Sequence, residues 1–133
     1  MNSRASETGA PDHGKHTSIW LDTTAETSYD ELDGTENVDT VFLCGGIVGL
    51  TAAYHLTRAG QEVAVVERNR IVTGTTGHTT AKLTSLHGLC YSDLTHHLGE
   101  DRAHQYARAN EQAIDDVETI VERHGIDCDF ERM

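Results

Sequence analysis

Hydrophobic and polar positions follow two kinds of pattern in the central part of the chain. Residues 38–43 (VDTVFL) and residues 62–67 (EVAVVE) are short, mostly apolar runs, which are typical of strands buried in a parallel sheet. Between them, residues 50–59 (LTAAYHLTRA) place apolar side chains near one helix face, and Gly60 follows as a C-terminal stop. Strand, helix and strand within about thirty residues predict a βαβ unit.

A helical spacing dominates the carboxyl-terminal part. In residues 100–124, apolar side chains recur three and four positions apart, which predicts a long amphipathic helix that Gly125 ends. Residues 92–98 predict a shorter helix with Ser92 as its N-cap. We expect Gly99 to break the chain of helical turns between the two. The predicted fold class is therefore α/β: an incomplete Rossmann-type βαβ unit with a long helix after it.

Three other segments lack a sustained helical pattern. Residues 71–91 are rich in Thr, Gly and Ser, which predicts a loop with a short helix at 79–83. Residues 126–130 alternate apolar and acidic positions, which predicts the beginning of a half-buried strand. Residues 1–37 are polar and acidic and predict a flexible amino-terminal arm before a folded part at 38–133.

The single tryptophan lies in this predicted arm. Trp20 stands beside Ile19 and Leu21, and the pattern favours docking of Trp20 on the folded part, because an exposed Trp–Leu pair would reduce solubility. The alternative is a chance apolar cluster in a disordered tail.

The charge balance restricts the partners of this chain. It has 22 Asp and Glu against 10 Lys and Arg, a formal net charge of −12. A nucleic-acid surface needs clustered cations, so no nucleic-acid partner is predicted. A strongly solvated surface explains the acidity, and adaptation to a salty cytoplasm is the alternative.

Cysteine usage and hydropathy predict the compartment. Cys44, Cys90 and Cys128 are odd in number and far apart, which is unlike a disulfide framework or a zinc ribbon and fits a reducing interior. Residues 1–15 are polar, unlike a signal peptide. The longest apolar stretch, 41–50, is too short to span a bilayer. We therefore expect a soluble cytoplasmic protein without a membrane span.

A glycine-rich turn joins the first predicted strand to its helix. The residues are Cys44, Gly45, Gly46, Ile47, Val48 and Gly49. Glycines in such a turn allow a close approach of the backbone to a pyrophosphate, and the helix that follows directs its free N–H groups at the anion. In this position the pattern predicts dinucleotide binding, against the alternative of a coincidental glycine turn.

An acidic residue closes the second predicted strand. Glu67 follows the turn by about twenty residues, the spacing of the carboxylate that accepts hydrogen bonds from a cofactor's ribose hydroxyls. The same turn and acid serve both FAD and NAD, so the pattern by itself leaves NAD open.

One position departs from the dinucleotide pattern, which has glycine at its first, third and sixth positions. The third and sixth are Gly46 and Gly49, but the first is Cys44. A Cβ and a sulfur there are expected to strain the turn or to crowd the phosphate. A tolerated small residue is the favoured interpretation, and a reactive thiol at a helix N-terminus is the alternative.

Residues 41–67 (VFLCGGIVGLTAAYHLTRAGQEVAVVE) resemble the amino-terminal signature of the D-amino-acid oxidase/glycine oxidase superfamily of FAD-dependent oxidoreductases. Residues 74–88 (GTTGHTTAKLTSLHG) resemble its second FAD-contact segment. The likeness covers about residues 38–130 and is greatest to the branch whose full-length members often carry a carboxy-terminal Rieske iron–sulfur domain.

The resemblance implies further contacts with FAD. Arg68 would lie beside the adenine, and the second segment would run under the pyrophosphate toward the flavin, with His78 where relatives commonly have Arg. The implied contacts in that segment are Thr75, Thr76, Gly77, His78, Thr79, Thr80 and Lys82. Without the resemblance, a solvated loop would be the alternative interpretation.

The resemblance also implies a function: the FAD-binding part of an oxidoreductase acting on C–N bonds of amines or amino acids. Family members are several times longer than this chain, so the resemblance implies that the chain is truncated, and we do not expect independent turnover. One alternative is a non-catalytic dinucleotide-binding module that needs a partner chain to complete its sheet, and another is an inactive fragment.

Two histidine-containing groups are weaker candidates for chemistry. A set of acids and histidines around the predicted break suggests metal ligands, but no known ligand spacing occurs, so no metal is predicted; it comprises Asp93, His96, His97, Asp101 and His104. His87 is a candidate proton donor, and a structural role is the favoured interpretation.

Overall fold

A computed structural model describes residues 17–133. Its elements, in chain order, are α1 (Ile19–Thr23), β1 (Thr40–Phe42), α2 (Ile47–Arg58), β2 (Val63–Val65), a 3₁₀ helix (Thr75–His78), α3 (Cys90–Leu98) and α4 (Glu100–His124). The chain divides into two compact units, one ending at Thr80 and the other beginning at Ala81. The predicted boundary at residue 38 stays a prediction, and residues 1–16, including the segment tested for a signal peptide, lie outside the described part.

The first unit contains the predicted βαβ arrangement. β1 and β2 pair in parallel, with Val41 opposite Ala64 at the centre of the register, and α2 connects them. A parallel pair joined by a helix is the Rossmann-type crossover, so the predicted α/β class is confirmed. α2 begins at Ile47 rather than at residue 50, because the last glycine of the turn already lies within the helix.

This small sheet leaves apolar side chains exposed. Within residues 17–133, Ala53 and Ala103 are the hydrophobic residues that are buried. By contrast, Val41 of β1 is 50 % exposed, and Leu43 and Val66, which directly follow the two strands, are 82 % and 41 % exposed. Two strands and one helix have too little surface to cover both sheet faces, and so the described chain presents an apolar sheet to its surroundings.

The second unit is a helical hairpin, α3 and α4, with Gly99 between them at φ 83°. α4 has the predicted bounds, and Gly125 ends it in the left-handed conformation (φ 58°, ψ 42°). The prediction of Ser92 as an N-cap was wrong: α3 starts at Cys90, and Leu89 is the N-cap residue. The helix starts earlier because the Cys90 N–H donates to the His87 carbonyl and the Asp93 N–H to that of Leu89.

Two further predicted elements are absent from the described chain. Residues 79–83 form no helix; the helical turn lies at Thr75–His78 instead, and Ala81 has φ 57°, which a right-handed helix excludes. Residues 126–130 form no strand. No neighbouring strand pairs with them, and Asp129 has φ 50°, which lies outside the β region.

An aromatic cluster holds the second unit together. Tyr106 of α4 packs edge-to-face on Tyr91 of α3, with 5.8 Å between ring centroids, and its hydroxyl lies 3.1 Å from Nδ1 of His87. Partial removal from water, and then the nearby Cys90 thiol, raise the pKa of Tyr106. His87 is thus engaged in packing, in line with its structural interpretation.

Candidate functional site

The glycine turn lies where β1 ends and α2 begins. Gly46 is the N-cap residue of α2, with extended backbone (φ −88°, ψ −176°) and no side chain to cap the helix. Ile47 and Val48, in the first turn, are exposed. The first N–H groups of a helix have no partner within that helix, and together with the helix dipole they favour an anion at this end.

Two glycines of the turn have no space for a side chain. A Cβ on Gly45 would lie 2.8 Å from Cγ2 of Ile71 and 3.0 Å from Cβ of Glu67, and a Cβ on Gly49 would fall on the carbonyl oxygen of Cys44. These glycines allow the strand, the turn and the helix to approach closely, which is their role in a phosphate-binding turn.

Glu67 follows β2 and reaches the turn. Its Oε2 accepts a hydrogen bond from the Gly45 N–H at 2.8 Å, and its Oε1 accepts one from the Asn69 N–H at 3.1 Å. These hydrogen bonds, Gly45 first, lower the pKa of Glu67, and the charge of neighbouring Arg68 lowers it further. The carboxylate is therefore held in its ionised form beside the turn, as an acceptor.

The next two N–H groups of the turn also have acceptors from the protein. The Gly46 N–H donates to Sγ of Cys44 at 3.4 Å, and the Ile47 N–H donates to Oγ1 of Thr76 at 3.0 Å. Three successive donors are thus satisfied by a carboxylate, a thiol and a hydroxyl. A thiol and a hydroxyl are weaker hydrogen-bond acceptors than a phosphate oxygen, so a phosphate can replace them on these donors.

The second predicted segment lies against this turn. Thr76 belongs to the 3₁₀ helix, in which Nδ1 of His78 lies 2.8 Å from the Gly74 carbonyl oxygen. Gly77 is buried, and a Cβ there would collide with the carbonyl oxygen of Val72. The Val72 N–H donates to the Gly45 carbonyl at 2.9 Å. A side-chain hydrogen bond from the segment and a backbone hydrogen bond from Val72, just before it, therefore hold this region against the turn.

The remaining predicted site residues are placed as follows. Arg68, Thr75 and Thr80 are exposed, and the carbonyl of Thr79 accepts a hydrogen bond from the Trp20 indole. Lys82 belongs to the second unit, where it is exposed. The structure thus brings together the turn, Glu67 and the 3₁₀ helix.

Sequence reasoning missed Ile71 and Val72 as parts of this site. Ile71 packs on Gly45, and Val72 holds the backbone of the turn with φ 56°, a conformation that is rare for a β-branched residue. The available signal was an apolar pair in an otherwise polar segment. Strained backbone of this kind is found most often at functional sites.

The set of acids and histidines considered as metal ligands does not form a centre. Within residues 17–133, no group of three or more His, Cys, Asp or Glu side chains is arranged to hold a metal ion. His96 and His97 pack edge-to-face on each other, with 4.8 Å between ring centroids.

The model of one protein family matches residues 45–133, and it describes FAD-dependent oxidoreductases. The chain belongs to this family. The match begins at the glycine turn and includes Glu67 and the 3₁₀ helix, which are the parts that the structure assembles.

Individual relatives agree with this assignment. The chain is 40 % identical over 111 residues to the Rieske 2Fe-2S iron-sulfur protein YhfW of Bacillus subtilis, covering 84 % of this chain and 22 % of that protein. It is 27 % identical over 118 residues to γ-glutamylputrescine oxidoreductase of Escherichia coli, covering 87 % and 28 %. A shorter match, 36 % over 53 residues, is to human mitochondrial dimethylglycine dehydrogenase, covering 39 % and 6 %.

These matches confirm the resemblance stated from the motifs, including the branch with Rieske-bearing members. The chain spans about a quarter of the length of YhfW and of γ-glutamylputrescine oxidoreductase. No solved structure matches the chain significantly. None of the helices within residues 17–133 is long and apolar enough to cross a membrane.

Proposed function

We propose that this chain holds the adenosine half and the pyrophosphate of FAD in an oxidoreductase. The observation that carries the proposal is the row of N–H donors from Gly45 to Ile47, with Glu67 in register beside them. The absence of space for a Cβ at Gly45 and Gly49 supports it, because glycines in this turn let the backbone N–H groups approach a phosphate closely.

Each residue then has a defined role. The Gly46 and Ile47 N–H groups would donate to the pyrophosphate in place of Sγ of Cys44 and Oγ1 of Thr76. The freed Thr76 hydroxyl donates to a phosphate oxygen, and Glu67 accepts hydrogen bonds from the ribose hydroxyls. Arg68 and the other members of the second segment that lie in the first unit, including His78, are further proposed contacts.

When bound, FAD would supply the redox chemistry: its flavin would take a hydride from the carbon that bears the nitrogen of an amine or amino acid, whose C–N bond would become an imine. The names of γ-glutamylputrescine oxidoreductase and dimethylglycine dehydrogenase support a nitrogen-containing small molecule as the substrate class. This chain's own contribution is to bind and orient the cofactor. A cytoplasmic location remains part of the proposal.

The exposed side chains of the β1–β2 sheet indicate that further secondary structure packs against it. Leu43, at the end of β1, and Val66, after β2, are 82 % and 41 % exposed, and an unpaired strand edge invites pairing. We propose that further strands, from elsewhere in the full protein or from a partner chain, cover this sheet and complete the cofactor site.

Cofactor binding can be tested on the chain itself. FAD is added, the excess is removed, and the visible absorption of the protein is recorded; flavin fluorescence then gives the affinity. Retained flavin bands are expected for the wild type and for Leu32→Ala, whose side chain is 66 % exposed and lies outside the proposed FAD contacts. Gly45→Val is expected to lose them.

The same measurement separates the proposed cofactor from its alternative. If NAD⁺ prevents FAD uptake at equal concentration, the turn serves nicotinamide dinucleotides as well, and FAD specificity is wrong. If the wild type emerges colourless, the chain does not bind FAD in this form, and the proposed function fails for it.

A further inference from the structure

A short segment before β1 lies across the proposed FAD-contact segment. Residues 18–27, which we call the strap, include α1, and the Trp20 indole Nε1–H donates to the Thr79 carbonyl at 2.8 Å. The partners are 59 positions apart in sequence. The docking expected of Trp20 is therefore observed, and its target is the segment that follows the 3₁₀ helix.

The side chain next to Trp20 packs on a buried glycine. Leu21 is half-buried, and a Cβ added to Gly77 would lie 2.8 Å from its Cδ2. Leu21 thus contacts the backbone of the 3₁₀ helix directly, at a position where any larger residue would displace it. A larger residue at position 77 would therefore collide with Leu21 of the strap as well as with the Val72 carbonyl oxygen.

An ion pair anchors the other end of the strap. Nη1 of Arg70 lies 2.5 Å from Oε1 of Glu26. Between the two anchors, a cavity of about 230 Å³ separates the strap from residues 70–77. The strap is therefore held by a few specific contacts rather than by continuous packing, so single substitutions can release it.

The 3₁₀ helix connects the strap to the glycine turn, residues 44–49, which we now call the phosphate turn. Leu21 contacts Gly77 of this helix, and Trp20 donates to Thr79 directly after it. Oγ1 of Thr76, in the same helix, accepts the Ile47 N–H of the turn. Movement of the 3₁₀ helix would therefore remove Thr76 from the N-terminus of α2.

We propose that the strap is a cofactor-retention clamp, in which Trp20 and Leu21 are positioning residues that hold the 3₁₀ helix against the phosphate turn. The inference rests on the proposed FAD site and adds a determinant outside the dinucleotide motif. Its physical basis is pre-organisation: a loop already ordered before binding loses less conformational entropy when it closes on a ligand.

The first test measures FAD release after dilution into excess apo-flavoprotein trap, followed by flavin fluorescence. Trp20→Phe keeps a ring but removes the N–H donor, and one lost hydrogen bond predicts release about fivefold faster. Leu21→Ala removes the packing on Gly77 and predicts release more than about tenfold faster. Leu32→Ala is the matched control, because Leu32 is 66 % exposed, and wild-type release is expected.

The second test needs no cofactor. Hydrogen exchange is measured at the amides of Ile47 and Gly77, whose N–H groups donate to Thr76 and to Gly74. Both strap variants should exchange faster at these amides than the wild type and Leu32→Ala, with unchanged circular dichroism as evidence that they fold.

The outcomes separate the two proposals. Wild-type FAD release and wild-type exchange in both strap variants overturn the clamp and leave the proposed function standing. A wild type that takes up no FAD overturns the proposed function and the retention role with it. Faster release and faster exchange in both variants, with neither in Leu32→Ala, support the clamp.

Discussion

The phosphate turn and the α3–α4 hairpin are each stabilised by their own contacts, and these contacts join residues at different separations along the chain. In the turn, Gly45 binds Glu67 22 positions away and Ile47 binds Thr76 29 positions away. In the second unit the range is shorter: the Tyr106 hydroxyl reaches His87 19 positions away, Tyr91 donates to the Ser85 carbonyl 6 positions away, and Asn110 donates to the Tyr106 carbonyl 4 positions away.

This difference determines how each region responds to substitution. Closing long loops costs conformational entropy before any contact forms, and the turn repays that cost through a few hydrogen bonds and close backbone approaches. The hairpin distributes its stability over an amphipathic helix face. We therefore expect single changes to have large effects in the turn and small effects in the hairpin.

The largest effect should follow from closing the space at Gly49. In Gly49→Ala, the new Cβ would overlap the Cys44 carbonyl oxygen, and this overlap outweighs the gain of about 1 kcal/mol in helix propensity. We expect a loss of at least about 2 kcal/mol in the free energy of unfolding, measured by urea denaturation. Gly74→Ala is the control, and equal midpoints for the two variants would contradict the close approach.

A pH-dependent effect should follow from Glu67. The folded-state pKa of this acid lies below its ordinary value of 4.5, so its contribution to stability is present above about pH 4.5 and is lost as the pH falls through the lower, folded-state pKa. Glu67→Gln should therefore flatten the fall in urea midpoint on acidification, relative to the wild type. Glu31→Gln, at an exposed acid, serves as the control, and parallel profiles for all three proteins would refute the role of Glu67.

A smaller effect, on binding, should follow from Cys44. Cys44→Gly restores the first glycine of the motif and removes the sulfur from the Gly46 N–H. Freeing one donor is worth up to about 1 kcal/mol, or about fivefold in FAD affinity, measured by flavin fluorescence titration. Cys44→Ser retains an acceptor and should gain less. Unchanged affinity in Cys44→Gly would show that the thiol does not compete with the phosphate.

The smallest effect should come from the second unit. Arg132 lies 2.7 Å from Asp115 and 2.6 Å from Glu118 of α4, with 44 %, 58 % and 33 % of these side chains exposed. Exposed ion pairs contribute at most about 1 kcal/mol, so Arg132→Ala should shift the urea midpoint little. The shift should shrink further in about 1 M KCl, where charges are screened. A larger fall in urea midpoint for Arg132→Ala than for Gly49→Ala would contradict the expectation that the turn is more sensitive to substitution than the second unit.

The sequence predicted most where structure depends on neighbouring residues. The bounds of α4 and the stop at Gly125 follow from side-chain period and glycine conformation, which are properties of the local chain. The βαβ unit was recognised because a buried parallel strand is apolar throughout. Predictions for residues 79–83 and 126–130 failed because Ala81 and Asp129 adopt positive φ values. An Ala side chain does not indicate such a φ, and Asp adopts it more readily than most residues without requiring it.

The candidate site divides in the same way. The motif located the turn from Cys44 to Gly49 and the acid Glu67, since their spacing is set by the length of one crossover helix. It could not show that Ile71 and Val72 pack on the turn, or that Leu21 rests on Gly77. Those contacts join segments separated by irregular loops, whose paths no periodic pattern encodes.

By itself the sequence determined the family, the βαβ order and the long helix, because each depends on residue spacing within one element or one crossover. Tertiary structure alone decided which groups meet the donors of the turn: the carboxylate of Glu67, the thiol of Cys44 and the hydroxyl of Thr76. It also decided where Trp20 docks. These contacts depend on close packing between segments that are distant in sequence, where a few tenths of an ångström distinguish a favourable contact from a steric clash.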